Sequence, residues 1–170
     1  NDILAHILCL QQIEVLSKKD EDKDVGLGRI GDLPKPTEFS NVLDHIKKTL
    51  KIEKLRLAGR GDGPVRRLAV VAGSGGGFVP LAYEKGADLL LTGDVSHHHA
   101  LEARSLGIAL IDGGHFHTEK TAFRTFAERL RDMITGKGWD VMVEVYEDET
   151  SPIYDSLGID DFRGNNWKKK

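Results

Sequence analysis

Apolar positions change rhythm along the chain. Residues 2–18 place Ile3, Leu4, Ile7, Leu8 and Val15 at mostly helical spacing, with Ile13 near the same stripe, which predicts an amphipathic helix. The charged run Lys18 to Asp24 has mixed signs and no apolar residue before Val25, so it reads as a solvated linker. Val25 to Gly31 is a short, Gly-rich alternating segment closed by Leu33-Pro34-Lys35-Pro36, which marks a turn. Thr37 then suits the N-cap of a helix to Leu50, whose Phe39, Val42, Leu43, Ile46 and Leu50 share one face.

From Lys54 onward, strand-length apolar runs alternate with helical segments, with Gly or Asp at the junctions. The pattern predicts strands near 54–58, 67–72, 88–92, 108–112 and 140–146, and helices near 78–85, 97–106 and 117–135. In the last helix Ala122, Phe123, Phe126, Ala127, Leu130, Met133 and Ile134 form the stripe. Such alternation favours an α/β fold, a mixed or mostly parallel sheet flanked by helices. After Asp148 periodicity fades, and the ending Trp167-Lys-Lys-Lys170 suggests a surface extension. The expected organisation is a helix and linker over 1–24, an α/β domain over 25–148 and an extension over 149–170.

A length of 170 residues matches one domain, or half of a larger one, at roughly 100 to 200 residues each. Net charge is −3, so no overall field grips nucleic acid, and any bound anion must be held locally. The lone Cys9 excludes an internal disulfide and fits a reducing, cytoplasmic setting. Apolar runs such as Leu89-Leu90-Leu91 fall far short of the roughly 20 residues of a membrane helix. The chain opens at Asn1 rather than Met, so processing or truncation of the start is expected.

Three unusual segments each follow a predicted strand: Gly73-Ser-Gly-Gly-Gly-Phe78, Thr92-Gly-Asp-Val-Ser-His-His-His99 and Asp112-Gly-Gly-His-Phe-His-Thr-Glu119. In a parallel sheet they would emerge together at the carboxyl edge, where open α/β sheets bind ligands. The glycines Gly73, Gly75 and Gly76, with Ser74, let backbone approach an anion, or simply make a tight turn. They lack the Lys-Ser/Thr pair of a P-loop, and Phe78 spoils a dinucleotide fingerprint. Asp94 could cap the next helix, which is its ordinary role, coordinate a cation or orient a histidine. Of His97, His98 and His99, at most two can face one crevice. His115 and Glu119, four apart, fall on one helix face, where imidazole and carboxylate can reach one cation or form an exposed pair. Asp112 can hold its loop, and His117 can lie behind the site or in solvent.

These segments, with Gly26-Leu-Gly-Arg-Ile-Gly-Asp-Leu33, Val71-Ala-Gly-Ser-Gly-Gly-Gly77 and Gly86-Ala-Asp-Leu-Leu-Leu-Thr-Gly-Asp94, occur in an order that resembles the Nif-three-like dinuclear-metal family, also called GTP cyclohydrolase 1 type 2 homologues. The resemblance runs from about Val25 to Glu147. It implies an α/β fold, a ring-shaped homo-oligomer and two divalent cations per site, with zinc, manganese and iron the candidate metals. It makes His115 and Glu119 metal ligands, and it places His98 in the same pocket as the candidate catalytic residue. The family's other ligands, adjacent histidines and an aspartate in an amino-terminal half, have no match here, because residues 1–70 hold only His6 and His45. The chain therefore resembles a carboxyl-terminal half.

The expected function is a metal-dependent hydrolase acting on a nucleotide or other phosphate-bearing molecule. Gly73, Ser74, Gly75 and Gly76 would hold the anion, and His98 would carry protons or touch substrate. The alternative is a non-catalytic oligomeric binding protein, with a transcriptional coactivator partner suggested by the family name alone. Neither reading calls for direct nucleic-acid or membrane binding.

Overall fold

The computed structural model describes residues 1–20 and 24–153. Its elements are α1 (Asp2–Ile7), β1 (Gln11–Lys18), β2 (Gly26–Glu38), α2 (Phe39–Leu50), β3 (Arg56–Gly59), β4 (Pro64–Ser74), α3 (Val79–Glu84), β5 (Leu89–Gly93), α4 (His97–Leu106), β6 (Ala109–Asp112) and α5 (His115–Gly136). The six strands form one mixed sheet in the order β1-β2-β4-β5-β6-β3. Central β4, β5 and β6 are parallel, while β1, β2 and β3 pair antiparallel with their neighbours.

Strand pleat explains the layers. Side chains alternate between faces, so Leu68, Val70, Leu89, Leu91 and Ile111 enter one core beside Leu4 of α1 and Val42 and Ile46 of α2. Ala69, Val71, Leu90, Ile108 and Leu110 enter a second core with Val79 and Ala82 of α3 and Ala103 of α4. Continuous apolar runs are what a parallel centre covered on both faces requires. α5 lies on the first face, against α1, α2, β4 and β5.

Three expectations need correction. Residues 2–18 are not one helix: α1 stops at Ile7, left-handed Cys9 (φ 61°) turns the chain, and residues 11–18 form β1. There Val15 and Leu16 are both buried, and β1 pairs antiparallel with the next strand, β2, a tertiary contact that overrides the helical spacing. The stretch from Leu33 to Pro36 does not end its segment, since β2 runs to Glu38. Both prolines fall where the ladder to β4 breaks register between Asp32 and Thr37, the place where missing N–H groups are tolerated. Residues 140–146 form no strand; they run as irregular chain beside α5, where Arg131 donates to the Val143 carbonyl.

Smaller shifts follow. Thr37 is not the N-cap of α2, which starts at Phe39; its hydroxyl donates to the Lys35 carbonyl instead. The charged run links β1 to β2, with residues 21–23 outside the described residues. The expected extension is described only to Ile153. Among the described residues no helix is long and apolar enough to cross a membrane.

Candidate functional site

β4, β5 and β6 end at Ser74, Gly93 and Asp112, so the three unusual segments do emerge at one sheet edge. There His115, the first residue of α5, donates from Nδ1 to Asp94 Oδ2 at 2.6 Å and presents Nε2 3.4 Å from Glu119 Oε2. Asp94 is not a helix cap: Ser96 caps α4, accepting from the His99 amide at 3.2 Å while His99 Nδ1 accepts from the Ser96 amide. Asp94 instead adopts a left-handed backbone (φ 54°) and aims its carboxylate across the edge at His115. That bond holds the His115 pKa above its ordinary value, with Glu119 adding in the same direction against some desolvation.

Beneath the pair lies Gly73 (φ 71°), whose N–H donates to Thr118 Oγ1 at 3.0 Å and whose carbonyl accepts from Thr92 Oγ1 at 3.1 Å. Both threonines are fully buried. A Cβ on Gly73 would come within 2.7 Å of Glu119 Oε1 and 3.2 Å of His115 Nε2, so only glycine leaves the two donors room. The buried Asp112 accepts from Gly114 N, Val95 N and Arg56 Nη1.

The pair opens on a groove of about 960 Å³ with Lys51, Arg56, Ile52, Leu55, Phe116 and Ile153 on its walls. The other sequence candidates lie differently. Ser74 is exposed, Gly75 is buried against Val71 and Thr92, and Gly76 backs onto the His99 ring; none of them, nor Gly73, lines the groove. His98 is exposed in the first turn of α4, its ring edge-on to His97 with centroids 6.1 Å apart, and is also outside the groove wall. His117 is half-buried, and burial pushes its pKa down, assisted by Lys120.

Among the described residues no group of three or more His, Cys, Asp or Glu side chains is placed to hold a metal ion. His115 Nε2 and Glu119 nevertheless converge from one helix turn. A histidine fixed at Nδ1 by a carboxylate is the usual way to present Nε2 to a cation. The donor set fits one side of a metal site, short of the three or four donors that zinc takes.

The Duf34/NIF3 (NGG1p interacting factor 3) family profile matches residues 1–152. The chain belongs to this family. A "GTP cyclohydrolase 1 type 2 homolog" of Clostridium acetobutylicum is 30% identical over 153 residues, covering 89% of this chain and 57% of that protein. Its Lactococcus lactis counterpart is 34% identical over 160 residues, covering 91% and 57%. The chain thus spans a little over half the length of these relatives. Among solved structures, Staphylococcus aureus hypothetical protein SA1388 superposes with a TM-score of 0.82 at 23% identity, over 91% of this chain and 63% of that one, a likeness of fold. In this chain the Thr92-Gly-Asp94 and Gly114-His-Phe-His-Thr-Glu119 segments follow the ends of the neighbouring parallel strands β5 and β6.

Proposed function

We propose that this NIF3-family chain supplies one side of a divalent-cation site, with His115 Nε2 and Glu119 as donors, in a hydrolase acting on a phosphate-bearing small molecule. The observation that carries the proposal is the His115 imidazole, tied at one nitrogen to Asp94 and facing Glu119 with the other. A divalent cation supplies Lewis acidity, which lowers the pKa of water to about 7. The protein's part is orientation: Asp94 keeps the Nδ1 proton, so the Nε2 lone pair stays directed at the groove. Lys51 offers a cationic contact on a wall that also carries acidic side chains, Arg56 being engaged with Asp112, and Ile52, Leu55 and Phe116 give an apolar surface for an organic body. The relatives' name, GTP cyclohydrolase 1 type 2 homolog, supports a nucleotide as that molecule.

The test is Zn²⁺ and Mn²⁺ titration by calorimetry with elemental analysis. Wild type is expected to bind, and His115→Ala with Glu119→Ala to lose binding by at least about tenfold, the lower end for disturbing even an outer-shell partner. Undiminished binding in the double variant would reassign the donors. Metal-stimulated phosphate or nucleotide turnover, abolished by the same changes, would establish the hydrolase.

A second reading is a non-catalytic oligomeric protein. The observation favouring it is the exposed apolar side of α5 formed by Phe123, Phe126 and Met133. Exposed apolar patches of this kind mark contact surfaces.

A further inference from the structure

We propose that Asp112 is a positioning residue for the His115–Glu119 pair, an inference that rests on the divalent site proposed above. Asp112 ends β6 and is 7% exposed, so its charge is held by protein groups rather than water. Oδ1 accepts from Gly114 N at 3.0 Å; Oδ2 accepts from Val95 N at 3.2 Å and from Arg56 Nη1 at 2.9 Å. Gly114 immediately precedes His115, and Val95 immediately follows Asp94. One carboxylate therefore holds the peptide groups next to both members of the Asp94–His115 bond, although they lie on loops from two different strands.

The arrangement needs such an anchor. Asp94 sits at φ 54°, which a side-chain-bearing residue rarely adopts and which persists only where its surroundings impose it. Gly114 (φ 80°) makes the sharp entry to α5. Among the described residues three N–H donors bond the Asp112 carboxylate, which accepts from all of them, whereas a carboxamide would turn an NH₂ toward at least one. With the anchor loosened, the 2.6 Å bond that fixes the His115 ring loses the side-chain link between its two loops and keeps only the backbone pairing of β5 with β6 behind it.

The experiment compares wild type, Asp112→Asn, Asp94→Asn and the double variant. Folding is checked by circular dichroism, and Zn²⁺ affinity is measured by calorimetry. Asp112→Asn is expected to weaken Zn²⁺ binding about ten- to hundredfold, as outer-shell changes do. The double variant should lose little more than Asp94→Asn alone, because both act through one ring. A folded Asp112→Asn protein with wild-type affinity, or losses that multiply in the double variant, would overturn the proposal. Metal-free protein gives an independent readout at alkaline pH, where ¹⁵N ring shifts of His115 should show one Nδ1–H tautomer in wild type and a mixture in Asp112→Asn. An unchanged tautomer also overturns it. If wild type takes up no Zn²⁺, the metal-site reading fails and the tautomer measurement still decides the role of Asp112. If Asp112→Asn does not fold, Asp112→Glu, which keeps the charge but moves it by one methylene, is read by the same two criteria.

Discussion

His115 and His117 stand two residues apart in the first turn of α5, yet their surroundings move them in opposite directions. The Asp94 carboxylate favours the charged His115 ring, and burial disfavours a charged His117. The contribution of His115 to stability is therefore fully present below about pH 6.5, the unfolded value, and is lost as pH climbs through its raised folded value. That of His117 is present above about pH 6.5 and is lost as pH falls through its lowered one. Ring-proton NMR titration should place His115 above and His117 below the ordinary histidine midpoint, with Asp94→Asn bringing His115 back toward it. A wild-type His115 midpoint at or below the ordinary value would remove Asp94 as the cause. His115 and Glu119 were legible as a pair because a four-residue spacing fixes their geometry within one helix. That Asp94 could orient a histidine was legible, but not that the histidine is His115, because that reach depends on the register of β5 beside β6, a contact 21 residues away in sequence.

At the level of elements, α4 shows local chemistry occupying one histidine of the triplet. His99, one of three adjacent histidines, completes a reciprocal cap with Ser96. Ser96→Ala should cost about 1 kcal/mol of unfolding free energy, within the usual cap range, as read by urea denaturation. A loss below about 0.3 kcal/mol, under the lower end of that range, would mean that water replaces the bond. The central strands were legible because Leu89-Leu90-Leu91 and Ala109-Leu110-Ile111 are short apolar runs bounded by Gly and Asp. The opening segment misled because Ile3, Leu4, Ile7 and Leu8 are truly helical in spacing, and nothing local announces the turn at Cys9. The alternation Val141, Val143, Val145 has strand character, but no described strand lies beside it, and a strand without a partner leaves its backbone unpaired.

For the whole molecule, one sheet with helices on both faces buries two cores and leaves an apolar row outside. Phe123, Phe126 and Met133 fall on one side of α5, while Ala127 and Ile134 face inward, so the stripe seen in sequence divides between core and surface. Sedimentation velocity should find species heavier than a single chain, and Phe123→Glu with Phe126→Glu should return the protein to monomers. A wild type that sediments as a monomer at every concentration would remove the association reading.

The pleat that sorts Leu89 and Leu91 from Leu90 also governs the chemistry at the strand's end. An insertion of one residue in β5 would exchange the leucines between layers. It would also swing Asp94 toward the opposite side of the sheet. Sorting of the interior and aim of the acid are thus set by the same parity, and a sequence that drifts in one forfeits the other.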